Sequence, residues 1–191
     1  MRSDRIARIL EAAAAVFAEC GFERAKMDDI AERAGVAKGT IYYHFQGKDD
    51  LFCALIADVV QRLMDRWDEA ARAASDPVER LRHRIEALAR FLLANRRFAV
   101  MLLAEAWGNE TRQQVFRAHV RELIGALERV IREGAEAGAF AVREADTAAA
   151  ALFGAVSVAV LHAVFAGEPV DEERLVAQIV DQAVQGILPR G

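Results

Sequence analysis

The chain has 191 residues, 54% of them apolar and 28% charged, a globular balance that excludes an intrinsically disordered chain and allows one sizeable core. With 3 prolines and 12 glycines there is too little turn chemistry for many short strands, and 2 cysteines build neither a disulfide framework nor a zinc site. A net charge of -4 and a pI near 5.6 exclude a uniformly basic nucleic-acid binder, so any DNA contact has to rest on local positive charge.

Helical periodicity runs along the whole chain. The first helix is expected over about 3–20, with Ile6, Leu10, Ala13 and Phe17 on one stripe, Ser3 as N-cap and Gly21 as the C′ stop. Two short helices follow, about 27–34 and 38–45, broken by Gly35, with Asp28 and Asp29 in the first turn of the earlier one. After Gly47 a long helix runs over about 48–74, striped by Leu51, Leu55, Ile56, Val59, Leu63, Met64 and Trp67. Asp76 and Pro77 start the next helix, which carries Val78, Leu81, Ile85, Leu88 and Leu92. A shorter apolar segment spans 98–107, and a long helix spans about 109–137, ended by Gly138. Asp146 is placed to cap a helix that has no charge from Thr147 to Gly167, and Asp171 caps a last one carrying Leu175, Ile179, Val180, Val184 and Ile187. The total is about nine helices, with no convincing strand and no internal repeat, an all-α fold.

Two segments resemble membrane signals in part. The first helix is interrupted by Asp4, Glu11 and Glu19, which makes it amphipathic rather than a signal peptide. The charge-free stretch is long enough to span a bilayer, but eight of its residues are alanine, Ser157 and His162 interrupt it, and its flanks are acidic. Burial against a second copy of the chain is the better reading, with no membrane partner and a cytoplasmic location. Cys20 and Cys53 are expected as buried thiols on apolar helix faces.

The informative stretch is 27–45. Two short helices meeting at a turn that contains glycine are the helix-turn-helix plan, with Gly35 supplying a positive φ. Ile30, Ala31, Val36, Ile41 and Phe45 are assigned to packing, together with Phe17. Lys38, Gly39, Thr40, Tyr42, Tyr43 and His44 remain to face outward: a cation, a hydroxyl, two phenols and an imidazole, with no carboxylate. That surface suits phosphates and base edges. Lys48 opens the next helix, where its ammonium and the backbone N–H groups could hold one phosphate. All three lysines of the chain, Lys26, Lys38 and Lys48, lie in this region, although residues 1–50 hold nine acids against eight Lys and Arg.

The run GFERAKMDDIAERAGVAKGTIYYHFQGKDDLF closely resembles the N-terminal signature of the TetR family of bacterial one-component transcriptional regulators. The pieces that carry the resemblance are 29–31, 34–36, 38–45, Gly47-Lys48 and Asp50-Leu51. It implies an all-α homodimer in which residues 1–47 form a three-helix DNA-binding domain and 48–191 a helical domain that binds a small molecule and dimerises. It implies recognition-helix contacts from Lys38, Gly39, Thr40, Tyr42, Tyr43 and His44 and a phosphate contact from Lys48; Lys26 and Met27, opening the second helix, complete the DNA set. The family often has two hydroxyl residues before that helix; here they are Ala25 and Lys26. Lys26 can replace a phosphate contact by charge, but it cannot accept the N–H bonds of a cap.

The last two helices carry broad apolar faces with small residues (Gly154, Ala155, Ala159), which points to a two-fold four-helix interface. Candidate effector contacts are Met64, Trp67, Phe91, Phe98, Met101, Trp107, Phe116 and Phe153, with Glu105, His119 and His162 as polar anchors, for a small hydrophobic effector. The four histidines form no metal pattern, and no phosphate-cradling loop or nucleophile elbow is present, so neither an enzyme nor a cofactor is expected. The expected function is a ligand-responsive regulator, a repressor released from double-stranded operator DNA. The alternative is a helical adaptor without DNA binding, which has no need of Thr40, Tyr42, Tyr43 and Lys48 at this spacing.

Overall fold

A computed structural model of the chain describes residues 4–74, 76–96, 99–100, 110–166 and 171–189. Among these residues there are eight helices and no strand: α1 (Asp4–Arg24), α2 (Met27–Arg33), α3 (Lys38–His44), α4 (Lys48–Ala73), α5 (Pro77–Ala94), α6 (Glu110–Glu136), α7 (Ala145–Ala166) and α8 (Glu172–Gln185). The all-α expectation holds, and the count is close to nine. The cap at Ser3, most of the segment 98–107 and the stop at Gly167 and Pro169 lie outside the described residues.

The chain divides into two compact units, one of residues 1–61 with 97–119, the other of 62–96 with 120–191. The core of the first is aromatic. Phe17 stacks on Phe22 at 5.5 Å between ring centroids, and Phe52 meets both edge-on at 5.7 and 5.2 Å. Each such pair adds about 0.5–1.5 kcal/mol beyond area burial. Gly21 brings Phe22 into this cluster. Its φ of 78° turns the chain where the first helix is expected to stop, but helical hydrogen bonding resumes through Arg24, so α1 is kinked at Gly21 rather than ended there. Cys20 and Cys53 are half-buried rather than buried. The Cys20 thiol donates to the Val16 carbonyl, and burial pushes the Cys53 thiol above its ordinary pKa.

In the second unit α5 packs against α7 and α8. Asp76 accepts from the Glu79 N–H and Asp171 from the Arg174 N–H, so both expected caps form. Asp146 does not cap α7: the helix already begins at Ala145, which leaves Asp146 inside its first turn. Arg82 pairs with Asp181 at 2.8 Å, and Arg90 grips Glu173 with two bonds of 2.6 and 2.7 Å, tying α5 to α8. Arg90 holds the Glu173 carboxyl below the usual carboxylate range, so this contribution is lost as pH falls through that lowered value. The pair is exposed, so the effect is small.

Trp67 is fully buried, its indole N–H donates to the Arg84 carbonyl at 3.0 Å, and the Arg84 guanidinium lies 5.5 Å from its ring centroid. The same guanidinium donates to the Ala126 carbonyl, and burial lowers its pKa.

α6 ends in a Schellman motif. Gly138 takes φ 75°, its N–H bonds the Ala135 carbonyl, and the Ala139 N–H bonds the Gly134 carbonyl at 2.8 Å. The chain then folds Phe140 back over Gly134, where a Cβ would fall inside the ring. Because Phe140 is buried, its ring has little room to give way. Gly134→Ala is therefore expected to destabilise the protein by about 1–3 kcal/mol through overpacking. Thermal unfolding followed by circular dichroism should show a Tm several degrees lower; a Tm within about a degree of the parent would mean that the ring yields freely.

Candidate DNA-binding site

The exposed helix of the first unit owes its presentation to how the helix before it stops. α2 ends in a Schellman motif like that of α6: the Gly35 N–H bonds the Glu32 carbonyl and the Val36 N–H bonds the Ala31 carbonyl, both at 3.0 Å. The turn needs φ 64° at residue 35, where glycine carries no steric penalty. α3 then starts without a side-chain cap; the Thr40 N–H bonds the Ala37 carbonyl at 2.8 Å.

Only Ile41 of α3 is buried, with no exposed surface, and Phe45 follows it into the core. Of the six residues expected to face outward, four do so fully and two only in part. Lys38, Gly39, Tyr42 and Tyr43 are exposed, Tyr43 to 84%, while Thr40 and His44 are half-buried. The Tyr43 and His44 rings meet edge-on at 5.0 Å between centroids. Val36 is half-buried, whereas Ile30 and Ala31 are fully in the core.

The cations are less free than the sequence implies. Lys38 donates to the Asp28 carboxylate at 2.7 Å, and this acid holds the ammonium pKa above its ordinary value. Lys48 turns back toward α1. Its ammonium donates to the Glu23 and Ala25 carbonyls at 2.9 and 3.1 Å and lies 4.6 Å from the Phe22 ring centroid. Two of its three protons therefore hold one carbonyl in the last turn of α1 and one just beyond it, and Asp50 takes the Gln46 N–H at the start of α4. Lys26 is exposed at the N-cap of α2 and makes no side-chain cap bond, in keeping with its inability to accept one. Met27 is buried, so its side chain belongs to the core and not to a DNA-facing surface.

The effector candidates are distributed over both units. Met64, Phe91 and Phe153 are half-buried and Trp67 fully buried in the second; Phe116 and His119 are half-buried in the first. His162 is exposed. Phe98, Met101, Glu105 and Trp107 lie outside the described residues. Two grooves among the described residues, one polar near Glu128 and Arg143 and one apolar along α7 and α8, are lined by none of these candidates. Sequence reasoning missed Arg112 and the Asp28 partner of Lys38. Arg112 meets carboxylates 63 and 89 positions away, which no local spacing signals.

Residues 9–55 match the model of the bacterial regulatory proteins of the tetR family, and residues 74–162 match a tetracyclin repressor-like C-terminal domain. The chain belongs to the TetR family. It is similar to the transcriptional activator FasR of Mycolicibacterium smegmatis, 38% identical over 48% of this chain and 42% of that protein. Among solved structures it is similar to the fatty acid degradation regulator FadR of Bacillus halodurans (TM-score 0.88, 26% identity, 97% of each chain). It is also similar to FadR of Bacillus subtilis in complex with stearoyl-CoA (TM-score 0.83, 25% identity, 95% of this chain and 98% of that one). Members of the TetR family are DNA-binding transcriptional regulators.

Two substitutions separate the roles of this face. Asp28→Asn releases Lys38 from its carboxylate and should raise affinity for all DNA several-fold while steepening the salt dependence by about one phosphate contact. Tyr43→Ala should relax sequence preference and leave the salt slope unchanged. Fluorescence anisotropy at several salt concentrations reads both; equal effects from the two changes would contradict the division of roles.

Proposed function

We propose that this chain represses transcription by occupying a two-fold operator, and that a hydrophobic small molecule releases it. The observation that carries the reading is α3: one buried anchor, Ile41, and an outward face of donors and aromatic rings without a carboxylate. In this reading residues 1–47 are the DNA-binding domain and 48–191 carry effector binding and dimerisation. A cytoplasmic location goes with it.

Dimerisation through α7 and α8 is supported by surface that one chain leaves open. α7 is long and apolar enough to cross a membrane, and only 28% of its most apolar window is buried within the chain. Ala151, Ala155, Val158, His162 and Phe165 are all exposed and recur in steps of four and three residues, the spacing of a helix–helix seam. An apolar groove of about 340 Å³ runs beside it, lined by Leu152, Val156, Ile179 and Ile187 among others. A second copy would cover both and bring two α3 helices to one operator. His162 therefore fits the seam better than an effector site.

For the effector, the half-buried Met64, Phe91 and Phe153 and the two FadR neighbours favour a long acyl chain carried as a thioester. Its binding would shift the population toward a state with weaker operator affinity.

Titrating the purified protein into the DNA upstream of its own gene, with and without stearoyl-CoA, tests the reading. Binding should weaken steeply with salt and be reversed by the thioester. No binding, or binding indifferent to salt, would overturn the DNA assignment; salt-dependent binding indifferent to stearoyl-CoA would overturn the effector class. Deleting the gene should raise transcription of a reporter on that DNA, and a fall would make the protein an activator.

Val158→Glu should convert a dimer into a monomer by light scattering and abolish tight operator binding, since it places paired carboxylates in the seam. A dimer of unchanged stability would put the interface elsewhere.

A further inference from the structure

Arg112, near the start of α6, has a side chain only 7% exposed, inside the unit that holds the helix-turn-helix. Its fork donates to Asp49 at 2.8 Å and to Glu23 at 3.1 Å, and its guanidinium carbon lies 3.9 Å from the centroid of Phe22. Lys48 lies against the same ring and holds the carbonyls of Glu23 and Ala25. Glu23 is thus gripped twice, by its side chain from Arg112 and by its carbonyl from Lys48. The next residue of the chain after Ala25 is Lys26, the N-cap of α2, which offers its helix no side-chain acceptor.

We infer that Arg112 is a positioning residue for DNA recognition: with Lys48 it clamps residues 22–25 and so fixes where α2 begins, the work that a capping hydroxyl at position 26 would do locally. A seven-residue helix without a side-chain cap frays at its start, because its first N–H groups have no intrahelical acceptor, and a missing cap is worth about 1 kcal/mol. The strand of chain entering such a helix has to be held by something else. Here the hold is a desolvated, two-pronged arginine on two carboxylates over an aromatic face, a geometry that lysine cannot reproduce. α3 follows α2 through the Gly35 turn, so a displaced start of α2 displaces the outward face of α3.

This inference rests on the proposed DNA-binding role, and its test separates the two. DNA is first selected by the full-length protein from a random-sequence pool; failure to select any sequence would fall on the proposed function itself. Affinities of Arg112→Met and Arg112→Lys for the selected DNA and for random DNA are then measured at several salt concentrations. The expected result is a loss of about tenfold in the selected-to-random ratio, the scale of one lost base contact. The salt slope should be unchanged, because the buried Arg112 touches no phosphate. Adding Lys26→Thr to either variant should restore the ratio by supplying the local cap. If Arg112→Met does not unfold cooperatively, Arg112→Lys decides. A ratio within about twofold of the parent in the folded variants, or no recovery with Lys26→Thr, would overturn the inference.

Discussion

A seven-residue helix is not stable by itself in water, and α3 is such a helix. It exists because Ile41 is locked in the core, Phe45 follows it inward, and the Gly35 turn delivers it from the end of α2. Burying one residue in seven leaves Lys38, Gly39, Tyr42 and Tyr43 exposed and Thr40 and His44 half-buried. The same economy makes α3 dependent on its support. Its pose follows that of α2, and α2 has no cap of its own.

The support is electrostatic as well as apolar. Phe22 collects Phe17 and Phe52 on its apolar side and Lys48 and Arg112 as cations. Two carboxylates pair with Arg112 and two backbone carbonyls accept from Lys48, so both cations of the cluster are hydrogen-bonded. Lys38 and Asp28 show the same restraint on the outer face, where a carboxylate holds a cation that DNA would otherwise attract. With a net charge of -4 the chain has no overall field that attracts DNA, so the proposed contact rests on a small number of placed groups.

Much of the fold was legible in the sequence because it is written locally. Gly35 and Gly138 stop helices where a positive φ is needed, Asp76 and Asp171 cap where an acceptor is needed, and the apolar stripes give the faces. The exposure of Lys38, Gly39, Tyr42 and Tyr43 on α3 followed from the same periodicity once Ile41 was assigned inward, whereas Thr40 and His44 are half-buried. What was not legible depends on distance along the chain. Lys48 lies within two residues of carboxylates at the start of α4, yet its partners are carbonyls of the α1 end, 25 and 23 positions back. Arg112 is one arginine among many until the fold brings Glu23 and Asp49 to it. Met27 sits beside exposed acids, and only packing shows that it points inward. His162 reads as a polar anchor in an apolar helix; that it is exposed together with Val158 and Phe165 emerges from the packing of α7.

The central claim is that two copies of α3 enter the major groove of one operator together. Footprinting the full-length protein on its operator, with hydroxyl radicals for the backbone and methylation of guanine N7 for the major groove, tests it most directly. The account predicts two symmetric patches of protection on one face of the duplex, their centres a whole number of helical turns apart, each with guanines protected in the major groove. A single patch, patches on opposite faces, or backbone protection without any effect on guanine N7 would contradict it.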